Sequence, residues 1–165
     1  MVVMKVIYVG NPVLRLVSEE IEVFDAELKD FVQELVKTMY TEDGVGLAAP
    51  QIGVSRRVFV YDAGFGIQIV INPEFLWLSE EKVKMEEGCL SVPGIYADVL
   101  RPARVKLRYR DLEGNHHEEE LEGYPARIVQ HEADHLDGVL FIDHLAPARR
   151  ALLKPRLSQI MKENA

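Results

Sequence analysis

Two histidines one helical turn apart, His131 and His135, constrain this chain more than any other feature of its sequence. On an α-helix, residues four apart stand one above the other, so both imidazoles aim at a common point that can hold a divalent metal ion. Glu132, next to the first histidine, reaches that point without taking a coordination position and can accept a proton from water activated there. The helix is expected on independent grounds. Pro125 suits its first position, Ile128, Val129 and Leu136 make an apolar stripe, and Gly138 is placed to terminate it. The competing reading is a helix that merely carries two ordinary histidines.

A metal helix needs a core to stand in. At 165 residues, 48% hydrophobic and 28% charged, the chain suits a soluble globular protein with one domain, residues 1–165. It has no apolar run of about 18 residues and no signal-peptide pattern at Met1-Val-Val-Met-Lys5, so a cytoplasmic protein with no membrane partner is expected. A formal charge of −8 argues against general nucleic-acid binding. The single cysteine, Cys89, excludes an intrachain disulfide and leaves three readings: apolar filler, reactive thiol or metal ligand.

The rest of the pattern is helix, then strands, then helix. Leu28, Phe31, Val32, Leu35, Val36 and Met39 recur at helical spacing between Asp25 and Tyr40, with Asp25 as N-cap. The glycine-rich stretch from Gly44 to Gln51 lacks the Gly-Lys-Ser/Thr of a phosphate loop and reads as a tight connection. Residues 57–61 and 67–71 are β-rich runs forming a hairpin, closed by Asn72-Pro73. Val83 and Met85 alternate with lysines, and Val105, Leu107 and Tyr109 alternate with basic residues as in a half-buried strand. His116 and His117, being adjacent, would point to opposite faces of a strand and read as exposed. Val139-Leu-Phe-Ile142 reads as a final buried strand. With no βαβ alternation the chain is α+β: antiparallel sheets packed around a central metal-binding helix, with an N-terminal and a C-terminal helix.

Charge is segregated along the chain. Residues 146–165 hold five basic side chains against Glu163, a net charge of +4, which leaves −12 for residues 1–145. Helical spacing of Leu152, Leu153, Leu157, Ile160 and Met161 is interrupted by Pro155, so a kink or break is expected there. This tail is either a solvated surface helix or a basic handle for an anionic partner such as ribosomal RNA.

Two histidines leave a catalytic ion short of the usual three protein ligands, and a thiolate from Cys89 is the strong third candidate. Ligand types alone do not choose between zinc and Fe(II).

Three segments together resemble one family. Gly44-Val-Gly-Leu-Ala-Ala-Pro-Gln51, Glu87-Gly-Cys-Leu-Ser91 and Gln130-His-Glu-Ala-Asp-His-Leu-Asp-Gly138 look like the three motifs of the peptide deformylases, in the family's order. The resemblance implies that Cys89, His131 and His135 hold one Fe(II) ion per chain, with nickel, cobalt or zinc as substitutes. It implies Glu132 as general acid/base, with the Gln51 amide and the Leu90 backbone N–H receiving the formyl oxygen. The implied reaction removes the N-formyl group from the formyl-methionine of nascent polypeptides and releases formate. Glu87 would pair with Arg101 to brace the cysteine loop. Gly44, Val45 and Gly46 would let the substrate main chain lie alongside as an added strand, and Val45, Tyr124 and Ile128 would form the methionine pocket.

Two departures accompany the resemblance. Some relatives carry a basic, peptide-contacting residue shortly after the cysteine motif, where this chain reads Gly94-Ile-Tyr96. Some dock on the ribosome through a C-terminal helix, which Pro155 interrupts here. A zinc endopeptidase of the His-Glu-x-x-His type is the alternative, although it normally takes its third ligand from downstream. A third reading, a structural metal clip, requires four protein ligands.

Overall fold

The computed structural model describes residues 4–165. Its helices are α1 (Ala26–Thr41), α2 (Gly123–Leu136) and α3 (Pro147–Glu163). Its strands are β1 (Gly46–Ala48), β2 (Val58–Asp62), β3 (Ile67–Leu78), β4 (Lys82–Cys89), β5 (Val92–Pro102), β6 (Arg104–Arg110) and β7 (His116–Glu122). One antiparallel sheet runs β1-β2-β3-β6-β7, and β4 and β5 form a separate antiparallel hairpin. The expected α+β architecture is therefore observed.

Strand β2 shows why helices stand on both faces of the larger sheet. Val58 and Val60 are fully buried against Leu28, Val32, Leu35 and Met39 of α1, while Phe59 and Tyr61 turn the other way, onto Val129, Ala133 and Leu136 of α2. Period-2 side chains on a strand between two amphipathic helices produce this double burial. The β4–β5 hairpin adds a third cluster, in which Val92, Ile95, Ala97 and Val99 meet Leu140, Phe141 and Ile160. Helix α2 is consequently buried around most of its circumference, from Ala126 to Ala133 and again at His135 and Leu136.

Helix limits follow local chemistry. The Asp25 carboxylate accepts the Leu28 N–H at 3.1 Å and caps α1 as expected. Helix α2 starts at Gly123, which puts Pro125 third in its first turn, where its missing N–H is harmless. Gly138 ends the helix with φ +74°, and an added Cβ there would lie 2.5 Å from the Arg15 carbonyl oxygen.

Four expectations are corrected or extended. Val139–Ile142 contains buried residues, but Phe141–His144 is a 3-10 turn, because the Asp143 carboxylate accepts the Leu140 N–H at 3.0 Å and also pairs with Arg15 at 2.6 Å. The predicted break at Pro155 is absent: α3 runs through it, with the proline on the exposed side and Leu153, Leu157 and Ile160 on the packed side. Strand β3 does not close at Asn72-Pro73 but continues to Leu78. Asn72 adopts φ 50°, exchanges hydrogen bonds with the backbone of Ile21, and the register with β6 shifts just beyond it. Strand β5 was hidden by Pro93 and Gly94, although Ile95, Ala97, Val99 and Arg101 alternate buried with exposed neighbours.

Candidate metal centre

Helix α2 supplies His131 and His135, and the end of β4 supplies Cys89. One donor atom from each lies within 4.8 Å of the other two. The Cys89 Sγ is 3.4 Å from Nε2 of His135, and the two imidazoles meet edge to face with centroids 5.2 Å apart. His131 donates Nδ1–H to Glu87 at 2.8 Å, which fixes its tautomer and leaves Nε2 facing the cluster. Oε1 of Glu132 is buried with no hydrogen-bond partner among the described residues. Two imidazoles, a thiol and a carboxylate oxygen lacking a partner fit a divalent ion with an open position, not a closed structural clip.

Glu87 is the hub behind this cluster. Arg101 reaches it with Nε at 2.6 Å and Nη2 at 2.9 Å, and Arg127 with Nη1 at 2.7 Å. The expected Glu87–Arg101 pair is thus present, within a larger network that sequence reasoning did not find. Asp134 binds Arg101 at 2.8 Å and His144 at 2.8 Å, carrying the network to the surface. One signal was available: Arg127 stands four residues before His131, on the same helical face.

Burial and charge set the protonation states. Burial opposes the charge on Glu87, but hydrogen bonds from His131 and Arg101 outweigh it and hold the carboxyl well below its usual range. Burial would likewise discharge His131, yet hydrogen bonds with Cys89 and Glu87 keep its pKa well above 6.5. His135, buried and repelled by His131, is held well below 6.5 and is therefore neutral. Glu132 is pushed up to about 7 by burial, against the attraction of His131.

A cleft of about 470 Å³ opens onto the cluster. Gly44, Val45, Gly46, Gln51, Glu87, Cys89, Leu90, Tyr124, Ile128, His131 and Glu132 all border it, while His135 and Arg101 lie behind. Every predicted site residue is therefore in or directly behind one cleft. Gln51 is oriented by its neighbours: its Oε1 accepts the Ala48 N–H at 2.9 Å, so Nε2 points to Cys89 Sγ at 3.4 Å and Ser91 Oγ at 3.2 Å. Strand β1 is the free edge of the five-stranded sheet, and its Gly46 lies so close to Glu132 that a Cβ would stand 2.6 Å from Oε2. Ile128 is buried at the floor, whereas Val45 and Tyr124 are about half exposed at the mouth.

Residues 3–151 match the family model of polypeptide deformylases. The chain belongs to the peptide deformylase family. The peptide deformylase of Thermotoga neapolitana is 54% identical over 153 residues, 93% of each chain. That of Fusobacterium nucleatum is 50% identical over 157 residues, 93% of this chain and 90% of its own. Among solved structures, the Thermotoga maritima peptide deformylase superposes with a TM-score of 0.87 at 48% identity, covering 89% of this chain and all of that one. Peptide deformylases are metal-dependent hydrolases that deformylate nascent polypeptides, and this function is the one the chain carries; the endopeptidase alternative is not favoured. Among the described residues no helix is long and apolar enough to cross a membrane.

Proposed function

We propose that residues 1–165 act as one catalytic domain in which Cys89, His131 and His135 hold Fe(II), with nickel, cobalt or zinc able to replace it. The observation that carries this reading is the convergence of one thiol and two imidazoles beside Glu132 at the floor of the cleft. When bound, the ion supplies a Lewis acid and lowers the pKa of water toward neutrality.

The chain's own residues do the rest. The formyl-methionyl end of the substrate enters the cleft with its main chain along the Gly44–Gly46 edge, as an added strand. Ile128, Val45 and Tyr124 receive the unbranched methionine side chain. Glu132 takes the proton from the attacking water and delivers it to the departing amine nitrogen, so that formate and a free amino terminus result. As the formyl oxygen gains charge, Nε2 of Gln51 and the backbone N–H of Leu90 donate to it. Glu87 and Arg101 hold His131 and the cysteine strand in register throughout.

The test of these roles is Glu132→Gln assayed for formate release from formyl-Met-Ala-Ser. A neutral amide cannot accept the proton, so turnover falls by about 10²- to 10⁴-fold while metal content stays at the wild-type level. Turnover near wild type would remove Glu132 from this role. The iron assignment predicts activity that decays in air and persists after nickel substitution; equal air stability of the two forms would contradict it.

Helix α3 presents Arg149, Arg150 and Lys154 to solvent and is continuous through Pro155. We propose that this basic face docks on the ribosome in the cytoplasm, near emerging chains. Cosedimentation with ribosomes, lost on charge reversal of Arg149, Arg150 and Lys154 together, tests it.

A further inference from the structure

Arg156 lies on α3, outside the three motif segments, yet its guanidinium rests against Gly94 at the rim of the catalytic cleft. At Gly94, an added Cβ would stand 2.5 Å from Arg156 Nη2 and 3.6 Å from Cζ. The guanidinium therefore occupies space that any side chain at this position would fill. Gly94 and Pro93 border the catalytic cleft on one side and, on the other, a cavity of about 300 Å³ whose far wall is Arg156, Gln159, Ile160 and Glu163.

The base of this side chain is fixed. Ile160 is buried, Leu153 and Leu157 pack with it against the β5 cluster, and Met161 closes on Gly10. The charge at the tip is available. Glu163, the acid nearest in sequence, is engaged by Nε2 of Gln159 at 3.1 Å, and Arg156 forms no ion pair or hydrogen bond among the described residues. Elsewhere around the cleft the exposed charges are acidic, Glu42, Asp43 and Glu86, and the inner cation, Arg127, is taken by Glu87.

We propose that Arg156 is a specificity-determining residue, which pairs with a carboxylate carried by the substrate peptide beyond its methionine. The proposal rests on the deformylase reading of the cleft. With the formyl group at the Cys89, His131 and His135 cluster, a peptide lying along β1 must leave between Gly44 and Leu90, where a Cβ on Gly44 would approach Leu90 Cδ1 to 2.9 Å. Downstream side chains then alternate between the acidic lip and the Pro93–Gly94 wall. On the latter, an aspartate or glutamate meets Arg156 and a lysine is repelled by it.

The experiment uses C-terminally amidated formyl-Met peptides with Asp, Asn or Lys placed in turn at the second, third and fourth positions, assayed for formate release with the metal-loaded protein. At one of these positions kcat/KM for Asp exceeds that for Asn by roughly two- to five-fold at low ionic strength, the range of an exposed ion pair. The difference sits in KM and shrinks in high salt. Arg156→Gln abolishes it, Arg156→Glu reverses it in favour of Lys, Arg156→Lys retains most of it, and all three leave turnover of the Asn peptides unchanged. An Asp-to-Asn ratio identical in wild type and Arg156→Gln at every position would overturn the proposal. Absence of formate from every peptide would overturn it too, and would locate the fault in the deformylase reading itself.

Discussion

Glu87 accepts a 2.8 Å hydrogen bond from Nδ1 of His131 while both its oxygens are held by buried arginines. This carboxylate therefore orients a ligand and pairs with two cations at once. Replacing it by glutamine keeps the shape but leaves Arg127 without its counter-charge and Arg101 with Asp134 alone. We expect Glu87→Gln to cost about 3–5 kcal/mol of stability, the range for a buried pair robbed of one partner. Metal affinity should fall about 10- to 100-fold, since the orientation of His131 is lost. Chelator competition and thermal melts measure both, and an unchanged metal affinity would show that His131 needs no such support.

Gly46 is required by proximity to Glu132. An alanine methyl would stand 2.6 Å from Oε2 and 2.9 Å from the carboxyl carbon, and β1 cannot retreat because it is paired to β2 and fully buried. The carboxylate must move instead. Gly46→Ala should lower kcat about 10²-fold, the usual scale for a displacement near 1 Å, with metal content intact. Gly44→Ala pushes on the flexible end of Leu90 and should cost less. Equal kcat for Gly46→Ala and wild type would separate Glu132 from the proton transfer.

The raised pKa of Glu132 makes the metal-free protein pH-sensitive. An unfolded glutamate ionises near 4.5, whereas burial holds this one protonated up to about 7. Folded protein therefore binds the proton more tightly, and the stability associated with it is complete below pH 4.5 and lost as pH rises toward 7. Glutamine has no such proton. After metal removal, Glu132→Gln should gain stability relative to wild type across that interval, by about 2–3 kcal/mol at neutral pH. Denaturant titrations at several pH values test this, and a difference that does not change with pH would contradict it.

Pro155 leaves the Ala151 carbonyl without its helical partner in the middle of α3. Because the proline is exposed and the packed face lies opposite, Pro155→Ala should restore that hydrogen bond without disturbing the core. We expect a rise in Tm of about 2–4 °C for each kcal/mol recovered and unchanged formate release. A lower Tm would mean that the proline stabilises α3 through a constraint on the unfolded chain.

Much of the site was legible because its chemistry is local in sequence. His131, Glu132 and His135 are set by helical spacing alone, and Cys89 by being the sole thiol. Helix α1 and strand β6 were equally plain, since each has one buried face and a matching period. What escaped was long-range. Arg127 reaches Glu87, Asp134 reaches Arg101 and His144 reaches Asp134 through packing of segments far apart in sequence, and beyond the helical spacing of Arg127 and His131 no local pattern announces the network. The 3-10 turn at Phe141–His144 reads as a strand in the sequence because burial without period does not distinguish the two. The helix through Pro155 survives because tertiary packing of Leu153, Leu157 and Ile160 outweighs a local breaker.

The most direct measurement compares wild type with Cys89→Ala, both purified without air, for metal content and for formate released from formyl-Met-Ala-Ser. Wild type should carry about one divalent ion per chain and release formate, and Cys89→Ala should lose both. A Cys89→Ala protein with a full metal complement and wild-type turnover would contradict the account.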